Sequence, residues 1–270
     1  MSRYDAEVIV VGGGPAGAAT AWALASGGRD VLVLDRATFP RTKACAEYIS
    51  PEACRVFSTM GVMDAIIGAG AVRLTGMRVR SPDGTELVGE FGAARGLVGT
   101  HVDGIALRRE RLDPLLLDAA RAVGAAVRES THVVDLLRGA SQRVEGVVLS
   151  NGTTLRARLV VGADGLRSVV ARRLALGVHG RWPRRVALVS HYEGVAGMGL
   201  HGEMHVERDG YVGFACVDSG LVNVSLVVPA SDAHLAASDP AAFVARWLDR
   251  KRQLASRFRG ARRCSPVRAT

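Results

Sequence analysis

Three glycines, Gly12, Gly14 and Gly17, are spaced as G-x-G-x-x-G between two apolar runs of different character. Residues 6–11 are rich in β-branched side chains and fit a buried parallel strand, whereas residues 16–26 are rich in alanine and favour a helix. The first glycine permits a tight turn, the second lets the main chain approach a pyrophosphate, and the third lets helix and strand pack closely. The pattern therefore predicts a dinucleotide-binding β-α-β unit near the start of the chain.

The residues around this turn suit a phosphate and a ribose. Pro15 and Ala16 begin the predicted helix, whose free N–H groups and positive dipole end would hold the pyrophosphate. Asp35 ends the next predicted strand, roughly 20 residues after Gly17, which is the spacing expected of an acid that binds a ribose hydroxyl. Because a carboxylate here would repel a 2′-phosphate, the site fits FAD or NAD and not NADP.

The later part of the chain has the pattern of antiparallel strands. Residues 127–161 predict a meander with a hairpin turn at Asn151-Gly152, and residues 186–228 are a second β-rich stretch. Residues 240–258 predict a last helix with its apolar side chains on one face. Parallel strands first and antiparallel strands later predict an α/β chain of two domains.

The predicted fold class is therefore α/β, with a Rossmann-like domain that combines a parallel sheet and an antiparallel meander, plus a β-rich substrate domain. The Rossmann-like domain is expected to be discontinuous, over residues 1–70 and 105–180. The β-rich domain is expected over residues 71–104 and 181–270, and it ends in a basic helix.

The net charge of +9 is concentrated at one end of the chain. From Arg246 onward there are nine basic residues and one acid, so the rest of the chain is almost neutral. A terminal block of this kind predicts a solvated helix face and no nucleic-acid surface. Peripheral contact with an anionic membrane and the oligomeric state stay open at this point.

Cysteine and histidine spacing argues against disulfides and metal. The four cysteines include no C-x-x-C pair, which favours a reducing, cytoplasmic setting. His201, Glu203 and His205 alternate along a predicted strand and could meet a metal, but no further ligand accompanies them, so no metal is expected. Residues 8–28 are uncharged, yet glycines and a proline interrupt them, so a buried strand and helix are expected there and not a membrane span.

Two further segments resemble flavoprotein oxidoreductases of the hydroxybenzoate hydroxylase and geranylgeranyl reductase type. The run 160–165, Val-Val-Gly-Ala-Asp-Gly, is similar to the second FAD motif of that family, and Arg109-x-x-Leu-Asp is similar to its arginine motif. The resemblance implies that Asp164 and Gly165 lie beside the ribityl and pyrophosphate of FAD, and that Arg109 contacts the cofactor near its pyrophosphate. Arg108 and Arg111 are alternatives for that role.

The segment 39–47 resembles the part of these proteins that lies near the flavin, although Ala46 stands where the family usually has glycine. The resemblance makes Cys45 the candidate catalytic residue; the alternative is a small buried apolar residue. Basic neighbours such as Lys43 and Arg41 would favour a thiolate. The same resemblance adds three residues to the expected cofactor-binding set, namely Arg36, Lys43 and Val133.

The resemblance implies an FAD-dependent oxidoreductase that passes a hydride through flavin to an unsaturated apolar molecule, prenyl or polyketide-like, with NAD(P)H as the electron donor. One alternative is a flavin-dependent monooxygenase that hydroxylates a small molecule. Another is a shortened chain that binds a nucleotide or a partner without turnover.

One family motif is missing from these residues. The third FAD motif, of the G-D-A-A-G type, has no counterpart, because the sequence contains no Gly-Asp dipeptide. We therefore expect a fragment or shortened homologue, or completion by another chain, with weak retention of FAD and a basic helix that lacks its packing partner.

Overall fold

The structure, a computed structural model, describes residues 4–93, 103–177, 184–218 and 220–270. Within these residues there are 17 strands and eight α-helices. The strands are β1 (Ala6–Val11), β2 (Val31–Leu34), β3 (Tyr48–Ile49), β4 (Val72–Leu74), β5 (Gly76–Arg80), β6 (Glu86–Glu90), β7 (Gly104–Ala106), β8 (Ala126–Arg128), β9 (Val133–Arg138), β10 (Val144–Leu149), β11 (Thr154–Gly162), β12 (Arg185–Glu193), β13 (His201–Glu207), β14 (Gly210–Asp218), β15 (Leu221–Pro229), β16 (Arg262–Arg263) and β17 (Arg268–Ala269). The helices are α1 (Pro15–Ser26), α2 (Pro51–Thr59), α3 (Met63–Gly68), α4 (Arg109–Ala122), α5 (Val169–Arg173), α6 (Ala233–Ser238), α7 (Pro240–Asp249) and α8 (Arg252–Phe258).

The chain folds into two units, which confirms the predicted α/β class with a Rossmann-like part and a β-rich part. The first unit comprises residues 1–41, 60–62 and 110–180, and the second comprises residues 42–59, 63–109 and 181–270. The expected boundaries differ from these, since they assigned 42–59, 63–70 and 105–109 to the first domain. The reason is strand pairing: β3 and β4 both pair with β7, and this small sheet packs in a core with residues of β14.

The first unit has a six-stranded sheet in the order β8-β2-β1-β11-β10-β9. β1 runs parallel to β2 and β11, and β9, β10 and β11 form the predicted antiparallel meander. The four residues of β2 and all but one residue of β1 are buried, as expected for parallel strands covered on both faces. The strand that follows β1 in sequence, β2, lies on one side of it, and the much later β11 lies on the other. In such sheets nucleotides bind at this switch point, in the crevice at the carboxyl ends of β1 and β11.

The second unit has a sheet in the order β16-β12-β15-β14-β13-β5-β6, with β17 also paired to β12. Alternate residues of β12, β14 and β15 face a hydrophobic core that includes Val212, Val224 and Leu226. Trp247 and Leu254, from α7 and α8, are buried in the same core.

The structure corrects the prediction of one basic C-terminal helix. The predicted helix is interrupted at Lys251, whose backbone is extended, so two helices form in place of one. The Nζ of Lys251 lies 2.7 Å from Asp209 Oδ1. The apolar face is packed against the sheet, which contradicts the expectation of a helix without a partner. Arg262 and Arg268 lie in β16 and β17, so the basic block is not a single helix face. Among the described residues, no helix has both the length and the apolar character needed to cross a membrane.

Candidate functional site

The glycine loop has the geometry that its spacing predicts. Gly12 has a φ of +102°, and a Cβ at this position would lie 2.5 Å from the carbonyl oxygen of Ala163. A Cβ at Gly17 would overlap the carbonyl oxygen of Gly12. Both positions therefore require glycine, one for the turn and the other for the close contact of helix and strand.

The N-terminus of α1 is open to a ligand. Gly14 is the N-cap residue and, as a glycine, offers no side chain to cap the helix, and no acid stands in the first turn. Pro15 is half-buried and Ala16 is exposed. The first N–H groups of a helix have no partner within the helix, so this end presents donors and a positive dipole to an anion.

Asp35 is bound to the glycine loop itself. Its side chain is buried, its Oδ2 accepts a hydrogen bond of 2.7 Å from Gly13 N, and its Oδ1 accepts one of 2.8 Å from Ala37 N. Each carboxylate oxygen keeps a further lone pair, so a bond to a ribose hydroxyl stays a prediction. Arg36, the next residue, is exposed.

A partly buried ion pair that the sequence analysis did not predict lies beside this loop. Arg41 Nη2 is 3.4 Å from Asp113 Oδ2 and 3.9 Å from Asp35 Oδ2, and Asp113 is fully buried on α4. Arg41 also lies over the ring of Phe39, with Cζ 4.9 Å from the ring centre. Arg41 is thus paired with the carboxylates of Asp35 and Asp113. Its position in the sequence had instead suggested a role in activating Cys45. The Arg-x-x-Leu-Asp motif contained a signal, because its Asp113 supplies the partner.

The second predicted motif forms a loop against the first. Ala163 N donates to Val11 O at 2.8 Å, which joins the ends of β11 and β1. Asp164 accepts hydrogen bonds of 2.5 Å from both Ser168 Oγ and Val169 N, so its side chain secures the start of α5. Gly165 is exposed with a φ of +79°, and it presents main chain to the same crevice.

Val133 begins β9, where it pairs with Leu149, and its side chain is buried in the core of the first unit. Thr131 N, two residues earlier, donates to Asp35 O at 2.8 Å. A cofactor contact by Val133 would therefore come from its main chain.

These residues fit the pyrophosphate and adenosine half of FAD. The loop places glycine main chain and an uncapped helix N-terminus at one crevice, and a Cβ would fill the space at Gly12. The donors there are N–H groups, which match phosphate oxygens, and the buried acid beside them matches a ribose.

The second unit contains a buried polar cluster around Glu47. Its carboxylate is 5% exposed and accepts from Arg109 N at 3.3 Å, from His191 Nε2 at 2.7 Å and from Asn223 Nδ2 at 3.0 Å. Glu47 has a φ of +57°, which is uncommon for any residue but glycine. Strained backbone of this kind is often found at functional sites.

The predicted catalytic residue belongs to this cluster. Cys45 is half-buried, its Sγ accepts a 3.4 Å hydrogen bond from Glu47 N, and its carbonyl accepts one of 2.8 Å from Asn223 Nδ2. Lys43 is exposed on the same segment, and Arg109 is buried at the start of α4. The sequence analysis did not assign Glu47, His191 or Asn223. Asn223 gave the clearest signal, since it is a polar residue inside an apolar strand.

The alternating residues His201, Glu203 and His205 are paired with protein groups. Arg257 Nη2 lies 3.1 Å from Glu203 Oε1, and Arg257 Nη1 lies 2.5 Å from Glu203 Oε2. His205 Nε2 is 2.8 Å from the same Oε2, whereas His201 pairs with Glu90. Burial alone would raise the pKa of Glu203, but the hydrogen bonds from His205 and Arg257 outweigh it and lower the pKa to about 2. The cluster is thus an ion pair with a histidine, beside a cavity of about 340 Å³ in the second unit.

Comparisons with known proteins identify the family. The protein-family model described as "FAD binding domain" matches residues 5–192 of this chain. A menaquinone reductase of Mycobacterium tuberculosis is 37% identical over 186 residues, which is 68% of this chain and 43% of the relative. A rifampicin monooxygenase of Streptomyces venezuelae is 31% identical over 69% of this chain and 37% of its own. The matched part of this chain therefore covers less than half the length of either relative.

A solved structure agrees over nearly the whole chain. The myxobacterial chondrochloren halogenase, described as a variant of FAD-dependent halogenases, superposes with a TM-score of 0.86 at 25% identity. The match covers 98% of this chain and 63% of the halogenase. The predicted resemblance to FAD-dependent oxidoreductases is confirmed at the level of family and fold.

Proposed function

This chain belongs to the FAD binding domain family, and on that premise we propose that it carries the FAD site of a flavin-dependent reductase. The proposed substrate is an unsaturated, largely apolar small molecule of prenyl or polyketide-like character, and the proposed electron donor is NAD(P)H. The menaquinone reductase relative supports the reductase class, because it is more similar to this chain than the rifampicin monooxygenase is.

The contact between the glycine loop and the second loop is the observation that carries this proposal. The ends of β1 and β11 are joined by the bond from Ala163 N to Val11 O, and Gly12 has no room for a side chain against Ala163. Two motifs distant in sequence thus meet at one crevice that presents main-chain donors. This arrangement suits a dinucleotide, whose diphosphate would contact both loops.

The bound FAD would supply the redox chemistry, by accepting a hydride from the donor and passing it to the substrate. The N-terminus of α1 would bind the pyrophosphate, and Asp35 would hold both the loop and a ribose hydroxyl. Arg109 would pair with phosphate oxygens in the two-pronged geometry of a guanidinium. The exposed cations Arg36 and Lys43 would add positive charge near the diphosphate.

Cys45 is the proposed catalytic residue. Reduction of a carbon–carbon double bond needs a hydride at one carbon and a proton at the other. The Cys45 S–H would give that proton, which leaves a thiolate that accepts a hydrogen bond from Glu47 N, and water would then return the proton. Cys45 suits this role because it is only half-buried and its sulfur already lies near an N–H donor.

A monooxygenase is the second candidate, and the rifampicin monooxygenase relative favours it. In that case the same FAD site would serve a reaction that inserts one oxygen atom of O₂ into the substrate and reduces the other to water with two electrons from NAD(P)H. The two candidates differ in their need for oxygen, so they separate experimentally.

The test has two steps on the 270-residue chain. Flavin fluorescence during an FAD titration measures binding, and a chain that binds no FAD would contradict both candidates. The FAD-loaded chain is then given NADH or NADPH and a short-chain menaquinone, with and without oxygen. A product with one fewer double bond under anaerobic conditions supports the reductase. A hydroxylated product that needs oxygen supports the monooxygenase, and tight FAD binding without either product supports the non-catalytic alternative.

A further inference from the structure

In the buried polar cluster of Glu47, His191 and Asn223, the carboxylate of Glu47 accepts three hydrogen bonds. Glu47 stands in a left-handed backbone conformation, which is unfavourable in a residue other than glycine and persists only when the surroundings hold it. Three donors from three different elements supply that restraint: the N–H at the start of α4, an imidazole on β12 and an amide on β15. The cluster therefore secures the backbone of the segment that carries Cys45.

Asn223 joins the two parts of this segment. Its Nδ2 donates to Glu47 Oε2 at 3.0 Å and to Cys45 O at 2.8 Å, so both amide hydrogens are used. Its Oδ1 accepts a 2.7 Å hydrogen bond from Ser225 Oγ, which fixes the orientation of the amide. Asn223 thus holds Cys45 and Glu47 in one geometry.

His191 supports Glu47 from the neighbouring strand. His191 and Asn223 are directly opposite in the register of β12 and β15, so both side chains lie on the same face of the sheet. His191 Nε2 is 2.7 Å from Glu47 Oε2, and its Nδ1 is 3.1 Å from Ser265 Oγ. Because both ring nitrogens are engaged, His191 is placed to position Glu47 and not to transfer a proton to a substrate.

We propose that Glu47, held by His191 and Asn223, is the positioning residue that aims its own main-chain N–H at Cys45 Sγ and so fixes the thiol for proton donation. This inference rests on the proposed function, because it assumes that Cys45 acts in the reaction. It assigns to Glu47 a role through Cys45, with no contact of its own to substrate.

The test exchanges the two polar groups that meet at positions 47 and 223. Asn223→Asp alone would place two carboxylates in contact, and we expect hydrogen–deuterium exchange of residues 44–48 to rise about tenfold. Adding Glu47→Gln supplies an amide that can donate to the new carboxylate, but the donor to Cys45 O stays lost, so the double variant should recover only part of the protection. Glu193→Gln is the matched control, since Glu193 is an exposed carboxylate on β12.

The same variants are then compared as FAD-loaded chains. A positioning role predicts that Asn223→Asp lowers kcat about tenfold while KM and the FAD dissociation constant stay within about twofold, and that the double variant recovers part of the lost kcat. An exchange rate in the double variant no lower than in Asn223→Asp would overturn the proposed contact. A kcat that is insensitive to Asn223→Asp but lost in Cys45→Ala would overturn the positioning role while leaving the proposed function intact.

If Asn223→Asp fails to fold, Asn223→Ser replaces it as a smaller change that removes both amide donors. We expect it to raise exchange of residues 44–48 and to lower kcat in the same proportion. Unchanged exchange in that variant would overturn the proposal. Absence of FAD binding in the parent chain would contradict the proposed function, whereas the exchange measurement needs no cofactor and would still test the contacts around Glu47.

Discussion

Gly13 N donates a 2.7 Å hydrogen bond to Asp35 Oδ2, so the acid at the end of β2 is bonded directly to the glycine loop that follows β1. The two residues are 22 positions apart, and the bond is buried. Asp35 therefore shapes the loop before any ribose is present.

Asp35→Ala should weaken FAD binding by about tenfold or more. The substitution leaves Gly13 N–H buried without its charged acceptor, and hydrogen bonds to charged groups contribute about 1.5–3 kcal/mol. Fluorescence titration with FAD measures the change, and Asp30→Asn, an exposed acid just before β2, is the control. An unchanged dissociation constant would show that Asp35 does not hold the loop.

Gly14→Val should abolish FAD binding while the sheets stay folded. Gly14 has an extended backbone with a φ of −74°, so valine fits its conformation, but the side chain would occupy the N-terminus of α1 where a phosphate must approach. Gly68→Ala is the control, because a Cβ there meets nothing within 4 Å. Circular dichroism checks the fold and fluorescence titration checks the affinity. Retained affinity in the valine variant would refute the phosphate site.

Cys45→Ala should keep FAD and lose turnover. The side chain is half-buried and its sulfur accepts only a weak hydrogen bond, so its removal should disturb the fold little. We expect product formation to fall by about 10²-fold, as is usual when a proton donor is lost. The control is Cys264→Ala, at an exposed cysteine. Equal activity of parent and variant would show that Cys45 serves only in packing.

Glu203 should make the second unit sensitive to acid. The pKa of Glu203 is lowered from 4.5 to about 2 in the folded chain, so the unfolded chain binds more protons between these values. The stabilisation is present above about pH 4.5 and is lost as the pH falls through about 2. Urea unfolding at several pH values should show a shallower decline below pH 4.5 for Glu203→Gln than for the parent. The exposed Glu86 provides the control variant, Glu86→Gln, for which the parent's slope is expected.

Local rules were enough for the first β-α-β unit and for several turns. The order of strand, glycines and helix is encoded within residues 6–34, because each of these elements depends on its own residues. The turn at Asn151-Gly152 between β10 and β11 was predicted in the same way, since Gly152 takes the positive φ that such a turn requires. The break at Lys251 was not predicted, because an apolar stripe continues across it and Asp209, the ion-pair partner of Lys251, is distant in sequence.

The cluster around Glu47 was decided by tertiary structure alone. Glu47 is 144 residues from His191 and 176 from Asn223, and the register of β12 against β15 is what brings those two side chains together. Sequence periodicity identifies the face that a residue occupies, but it carries no information about which distant strand lies opposite. The amino-acid sequence by itself determined the glycine loop and its helix, since their geometry is local. The partners of Cys45, Glu47 and Arg41 depended on long-range pairing, since a buried polar group takes its partner from whichever element the fold places beside it.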